Sequence, residues 1–259
     1  MTELFFNTNA LQLNYFESSD AGIPLLLLHG SSSRWQTFLP IIPHLTKFSH
    51  VYALDLRGHG KSSRAAQYQL SFFVEDICHF IQDHIKKPTV IFGHSSGGMM
   101  AMMTAALHPA WVKALIVGDA PLHLQVLQQL IDSECEIAQR IIAWLRDRKI
   151  DQIYATLQND FRAESLSQCD PNFLSAMFDH FDDTFGSYDV EKLLPMIQCP
   201  VLFLRGNEAQ GSLMRDVDVA HALAVLPRVK DVKFDGLGHH LFGGDVSGMV
   251  EEIKEFLQI

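Results

Sequence analysis

VIFGHSSGGMM, residues 90–100, runs from a short apolar segment through a Gly/Ser-rich turn into a second apolar segment compatible with a helix. An apolar run of that length, bounded by turn residues, suits a strand buried on both faces of a parallel sheet. Gly93, Ser95 and Gly97 make the pattern Gly-x-Ser-x-Gly, which after a strand and before a helix holds its serine on a sharp turn. Side chains two positions to either side would collide there, so glycine fits both flanks, and the strain aims the Ser95 hydroxyl outward. Ser95 is the candidate nucleophile. Ser96 is the weaker one, because His94 stands where a small flanking residue belongs. The Ser96 backbone N–H is instead a candidate donor to a developing oxyanion.

Outward from this turn the same rhythm recurs in IPLLLLHG, VYALDLRG, ALIVGDAP, VLFLRGNE and VKFDGLGH. Each is a short apolar run ending in Gly, His or Asp, and helical spacing lies between most of them. LSFFVEDICHFIQDHI, for example, places Phe73, Ile77, Phe80, Ile81 and Ile85 on one face. Near the amino terminus, LFF and LQLNYF flank an Asn-Thr-Asn turn and predict an antiparallel hairpin at the sheet edge. The fold class is therefore α/β, a mostly parallel central sheet flanked by helices. The rhythm fails between Pro121 and Pro195, where helical patterns replace strands, with units expected at Leu124 to Asp147, Asp151 to Asn159 and Pro171 to Phe181. Residues 1–120 and 196–259 thus read as the core, and 121–195 as a helical insertion.

Composition narrows the function classes. The 259 residues, 47% hydrophobic and 19% charged, suffice for one large domain with a deep core. A formal charge of −10 with no Lys/Arg cluster repels polyanions, so nucleic acid is not an expected partner. Cys78, Cys135, Cys169 and Cys199 are widely spaced and form neither a Cys-x-x-Cys pair nor a disulfide framework, as in a reducing compartment. The first residues lack the continuous apolar stretch of a secretion signal, and IPLLLL is too short to cross a bilayer. The expectations are a cytoplasmic location and no membrane insertion. Despite 13 histidines there is no His-Glu-x-x-His and no Cys/His ligand spacing, so neither a metal nor another cofactor is expected. No pattern specifies an oligomeric state.

Acyl transfer needs a base and a second oxyanion donor beside the nucleophile. GLGHHLF places His239 directly after a glycine turn that follows the last strand-like run, which favours it over its neighbour His240 as general base. The second N–H is expected from Ser31, where Gly30 permits a tight turn, and Ser32 could add a hydroxyl. Trp35, Phe38 and Met99 either line the site or pack beneath its loops.

HGSSSRWQTF, DLRGHGKSS, GHSSGG and GLGHH together resemble the successive signatures of the α/β-hydrolase superfamily, over nearly the whole chain outside the insertion. The order Ser then His agrees with it. The resemblance implies the serine-nucleophile, esterase-like branch with a helical cap, and a loop shaped by Arg57 and its glycines. Many family members carry the acid of the triad as Gly-x-x-Asp after the penultimate strand, but here the stretch reads Gly206-Asn207-Glu208-Ala209. Some relatives, haloalkane dehalogenases among them, take the acid from the preceding strand end, where this chain has Asp119. Asp119 is the first candidate and Glu208 the second; Asp216, Asp218 and Asp235 are weaker, and Asp119 could instead cap the turn before Pro121. The implied reaction is hydrolysis of an ester-type bond of a small, largely hydrophobic substrate through an acyl-enzyme. A C–C hydrolase, a lactonase, a cofactor-free perhydrolase or a slow-turnover ligand-binding homologue would use the same residues.

Overall fold

The computed structural model describes residues 2–8, 11–18 and 22–259. Its strands are β1 (Glu3–Asn7), β2 (Gln12–Glu17), β3 (Ile23–Leu28), β4 (Ser49–Leu54), β5 (Thr89–His94), β6 (Val112–Gly118), β7 (Val201–Arg205) and β8 (Val229–Lys233). They form one sheet in the order β1-β2-β4-β3-β5-β6-β7-β8. β1 and β2 are the expected antiparallel hairpin, with Phe5 opposite Asn14, and β2 also runs antiparallel to β4. Asn9 and Ala10, part of its connection, lie outside the described residues. From β4 to β8 every neighbour is parallel.

Alternation along buried strands explains why they read as unbroken apolar runs. Leu26, Leu28, Ile91, Leu115 and Phe203 belong to one core cluster, whereas Leu25, Leu27, Phe92, Ile116 and Leu204 belong to the other. The first core takes in residues of α2 (Leu70–His79), α3 (Ser96–Leu107) and α10 (Asp216–Val225), the second those of α1 (Ile42–Leu45) and α11 (Ser247–Leu257). The five residues predicted for one face of α2 are all buried, the last three within a π-helical turn, Phe80–Ile85. Trp35 and Phe38 pack beneath the loops, Trp35 stacked on Phe16 at 5.3 Å, and Met99 is wholly buried in the first core.

The chain goes from β3 to β4 on one side and then crosses to β5 on the other. Loops after β3 and β5 therefore diverge, leaving a crevice at the strand C-termini, the usual ligand position in open α/β sheets. Both the Ser31 loop and the Ser95 turn border it.

Between β6 and β7 come α4 (Leu124–Arg146), α5 (Ile150–Leu157), α6 (Asp160–Ser167), α7 (Pro171–Asp179), α8 (Phe181–Phe185) and α9 (Val190–Leu193). α6 was not foreseen, since DFRAESLS carries no apolar stripe; its start is set instead by the Asn159 side chain, which accepts from Arg162 N at 3.0 Å. The insertion is tied to the core where Arg34 forks onto Glu164 at 3.0 and 2.8 Å, and where Tyr68 Oη donates to Asp170 at 2.6 Å. Among the described residues no helix is long and apolar enough to cross a membrane.

One expectation needs correction. β8 begins three residues before VKFDGLGH and ends at Lys233, because this edge strand is only half-buried and its Asp231 pairs with Arg205, so it shows no apolar run. In the DLRGHGKS loop Asp55, Arg57 and His59 are 1%, 7% and 1% exposed. Asp55 accepts from Trp35 N, Asn14 and Lys61 N, while Arg57 Nε donates to Asp76 at 2.7 Å and its Nη2 to Phe72 O at 2.9 Å.

Arg57→Met would leave the Asp76 carboxylate buried without its cation, and breaking such a pair from one side costs about 3–5 kcal/mol. Urea unfolding should show the unfolding free energy falling by that amount, with the midpoint lowered at unchanged slope; a loss under about 1 kcal/mol, the range of exposed pairs, would show that the pair is dispensable.

Candidate active site

Ser95 follows β5 directly and has φ 56° and ψ −130°, a conformation that costs free energy for any residue with a side chain. Close packing imposes it. A Cβ on Gly97 would lie 2.3 Å from Leu28 O, and one on Gly93 would lie 2.2 Å from Gly97 O. The two glycines let the first turn of α3 sit against the ends of β3 and β5, which forces the reversal at Ser95. Gly30 closes the other side, where an added Cβ would meet the Ser95 Cβ at 2.8 Å.

Ser31 and Ser96 meet across the crevice, with Ser31 Oγ donating to Ser96 Oγ at 3.0 Å. Among the described residues, the backbone N–H groups of Ser31 and Ser96 donate to nothing within the protein. Ser96 is the first residue of α3, so its N–H is one of the helix's unpaired donors and adds the positive end of the helix dipole. Both residues adjoin Ser95, Ser96 in sequence and Ser31 through Gly30, whose added Cβ would lie 3.2 Å from Ser95 Oγ.

The acid candidate is brought alongside by sheet register. Ser95 N donates to Gly118 O at 2.8 Å, and Asp119 is the next residue. Asp119 is fully buried with φ 42°. Its Oδ2 accepts from His239 Nδ1 at 2.8 Å, which leaves the imidazole Nε2 as a lone pair for proton transfer. The same carboxylate accepts from Gly206 N at 3.2 Å, from Leu213 N at 2.9 Å and from Ser212 Oγ. Burial by itself would raise this carboxyl; the hydrogen bond and charge of His239, with Ser212 and Leu213, outweigh it and hold Asp119 below the usual carboxylate range.

His94, noted in the sequence only as a poor flank for Ser96, holds His239 from behind. Its Nε2 lies 2.8 Å from His239 O, and the rings stack at 4.9 Å. A carbonyl only accepts, so His94 carries its proton on Nε2. Burial, aided by His239 nearby, pushes His94 down to about 3 and keeps it neutral. The Ser95 hydroxyl itself makes no hydrogen bond among the described residues; in unliganded sites such contacts often close only with substrate.

The other candidates lie elsewhere. Glu208 is exposed on a 3₁₀ turn, Asp216 pairs with Arg205 and Lys233, Asp218 with Arg215, and Asp235 is exposed. His240 is exposed beside His239, and the Ser32 N–H donates to His59 Nε2. Sequence reading missed Ser212, Leu213 and Gly206 as donors to Asp119, since nothing in NEAQGSL marks a donor for a carboxylate that is distant in the chain.

Residues 25–250 match the model of the family described as the alpha/beta hydrolase family. N-formylmaleamate deformylase of Pseudomonas putida is 25% identical over 262 residues, covering 97% of this chain and 94% of that one. Among solved structures, the N-formylmaleamic acid deformylase of Pseudomonas putida S16 superposes with a TM-score of 0.75 at 20% identity, covering 97% of this chain and 100% of that one. An enol-lactonase from Burkholderia xenovorans LB400 gives 0.76 at 16% identity, over 99% and 100%.

Ser212→Ala removes one of the donors to Asp119, and a hydrogen bond to a charged group contributes about 1.5–3 kcal/mol. These donors lower the folded carboxyl, so their contribution is complete above the unfolded carboxylate's range and is lost as pH falls through the folded value. Urea titrations should show the variant weaker at pH 7 and the gap narrowing in acid; a pH-independent gap would mean that the hydroxyl acts on something else.

Proposed function

The chain belongs to the alpha/beta hydrolase family, and from that premise we propose that it is a serine hydrolase that cleaves an ester-type bond of a small, largely hydrophobic substrate through an acyl-enzyme. The observation that carries this reading is Ser95 held at φ 56° next to the Gly30–Ser31 turn and the unpaired N–H of Ser96, in a site where His239 is already bonded to the buried Asp119 carboxylate. His239 Nε2 takes the Ser95 proton as Oγ attacks the carbonyl carbon. The oxygen of the tetrahedral intermediate then accepts from Ser31 N–H and Ser96 N–H. The imidazolium, steadied by Asp119, returns its proton to the leaving alkoxide as the acyl-serine forms, and water activated by the same imidazole releases the acid. In this reading the helices of residues 121–195 act as the cap; their Leu, Ile, Met and Phe side chains, buried in the first core, make the surroundings of the site lipophilic. Small uncharged or weakly charged acyl compounds are the partners this implies, rather than nucleic acid or membrane.

A second reading keeps the same residues and changes the bond. Resemblance over nearly full length to a deformylase and to an enol-lactonase favours N-formyl amides and lactones as alternative substrates.

A fluorophosphonate probe should label Ser95 in the parent protein and nothing in Ser95→Ala, as read by peptide mass mapping; a label on another residue would remove the nucleophile. With short-chain aryl esters, Asp119→Asn should lower kcat by about 10⁴-fold, the loss seen when a triad carboxylate is made an amide. Glu208→Gln should leave turnover unchanged, and the reverse pattern would move the acid to Glu208. Product analysis with esters, lactones and N-formyl amides decides the bond.

A further inference from the structure

The DLRGHGKS loop has no part in the chemistry just described, yet His59 at its centre is buried to 1% exposure. Its Nδ1 lies 2.8 Å from Arg57 O, so the ring proton sits on Nδ1 and Nε2 is an acceptor. What Nε2 accepts is the backbone N–H of Ser32, at 3.1 Å. Ser32 has φ 54°, unusual for a residue with a Cβ, and immediately follows Ser31.

The peptide unit before Ser31 is held in a matching way. His29 Nδ1 lies 2.7 Å from Gly30 O, and its Nε2 accepts from Leu56 N at 3.1 Å. C=O and N–H point in opposite directions across a trans peptide, so fixing Gly30 O toward His29 turns the Ser31 N–H the other way. The peptide on the far side of Ser31 is pinned by His59. Burial pushes His59 down to about 3, with His29 adding to it, and pushes His29 down to about 4. Both rings therefore remain neutral above about pH 5, and neither exchanges its donor and acceptor ends.

We propose that His59 is a positioning residue of the oxyanion hole, holding the Ser31 N–H in place by accepting the N–H of Ser32. This rests on the serine-hydrolase reading above, in which Ser31 is an oxyanion donor. His59 is itself seated by the insertion: Phe173 of α7 packs edge-on against its ring at 4.4 Å, and Asp170 N donates to Gly58 O at 2.7 Å. The helices over the site thus bear on the loop that meets the carbonyl oxygen.

His59→Gln keeps an acceptor oxygen near the place of Nε2, whereas His59→Asn keeps a polar group only on the Nδ1 side. With aryl esters, H59N should lower kcat by about 10- to 100-fold, somewhat less than deleting an oxyanion donor, with KM little changed. It should weaken inhibition by an aryl trifluoromethyl ketone, which forms a tetrahedral oxyanion on serine, by a similar factor. H59Q should recover most of both. Equal losses in H59N and H59Q, or none in either, overturn the proposal. Should H59N not fold, ¹⁵N-imidazole spectra of the parent still decide: His59 must be the neutral Nδ1–H tautomer, and an Nε2–H signal overturns it. Ester turnover surviving Ser95→Ala sinks the serine-hydrolase reading itself, whereas turnover lost in Ser95→Ala but untouched in H59N sinks the role of His59 alone.

Discussion

Contact of the α3 amino terminus with the ends of β3 and β5 sets the geometry of everything around it. Leu28 O and Gly97 leave no room for a side chain at their contact, and the chain can make the turn only by placing Ser95 in a strained conformation. That strain is sustained by the two cores on either side of the sheet, each closed by helices on its own face. A hydroxyl lifted out of the sheet end, with a helix amino terminus behind it, follows from backbone packing before any polar contact is considered.

A buried carboxylate beside it needs its charge offset. Asp119 gets this from one imidazole and from donors of the segment after β7, the segment in which many family members carry the acid itself. Gly206 N, Ser212 Oγ and Leu213 N of that segment thus hold the Asp119 carboxylate together with His239. The register of β5 with β6 sets Gly118 opposite His94 and so brings Asp119 alongside the Ser95 turn.

Neutral buried histidines recur around the site. His29, His59 and His94 each take one backbone partner that fixes the ring, and His29 and His59 accept a second on the opposite nitrogen. Burial disfavours their charged forms, so these rings act as rigid two-ended spacers. The Arg34 fork to Glu164 and the Phe173 contact extend that rigidity into the helices between β6 and β7.

Local chemistry was legible along the chain: apolar runs of strand length, the glycine spacing around Ser95, and a histidine after a glycine turn all declare themselves within a few residues. Asp119 was legible as a strand-end carboxylate, but that it, and not Glu208, meets His239 was a matter of orientation, set by register and by an exposed 3₁₀ turn that faces Glu208 to water. α6 and β8 were missed or misplaced because neither has a periodic apolar face; a side-chain cap and an edge ion pair set them instead. The donors Ser212, Leu213 and Gly206, and the acceptor end of His59, were decided by tertiary structure alone. A hydrogen bond between residues far apart in sequence leaves no periodicity behind, and only the folded sheet brings its two ends within reach.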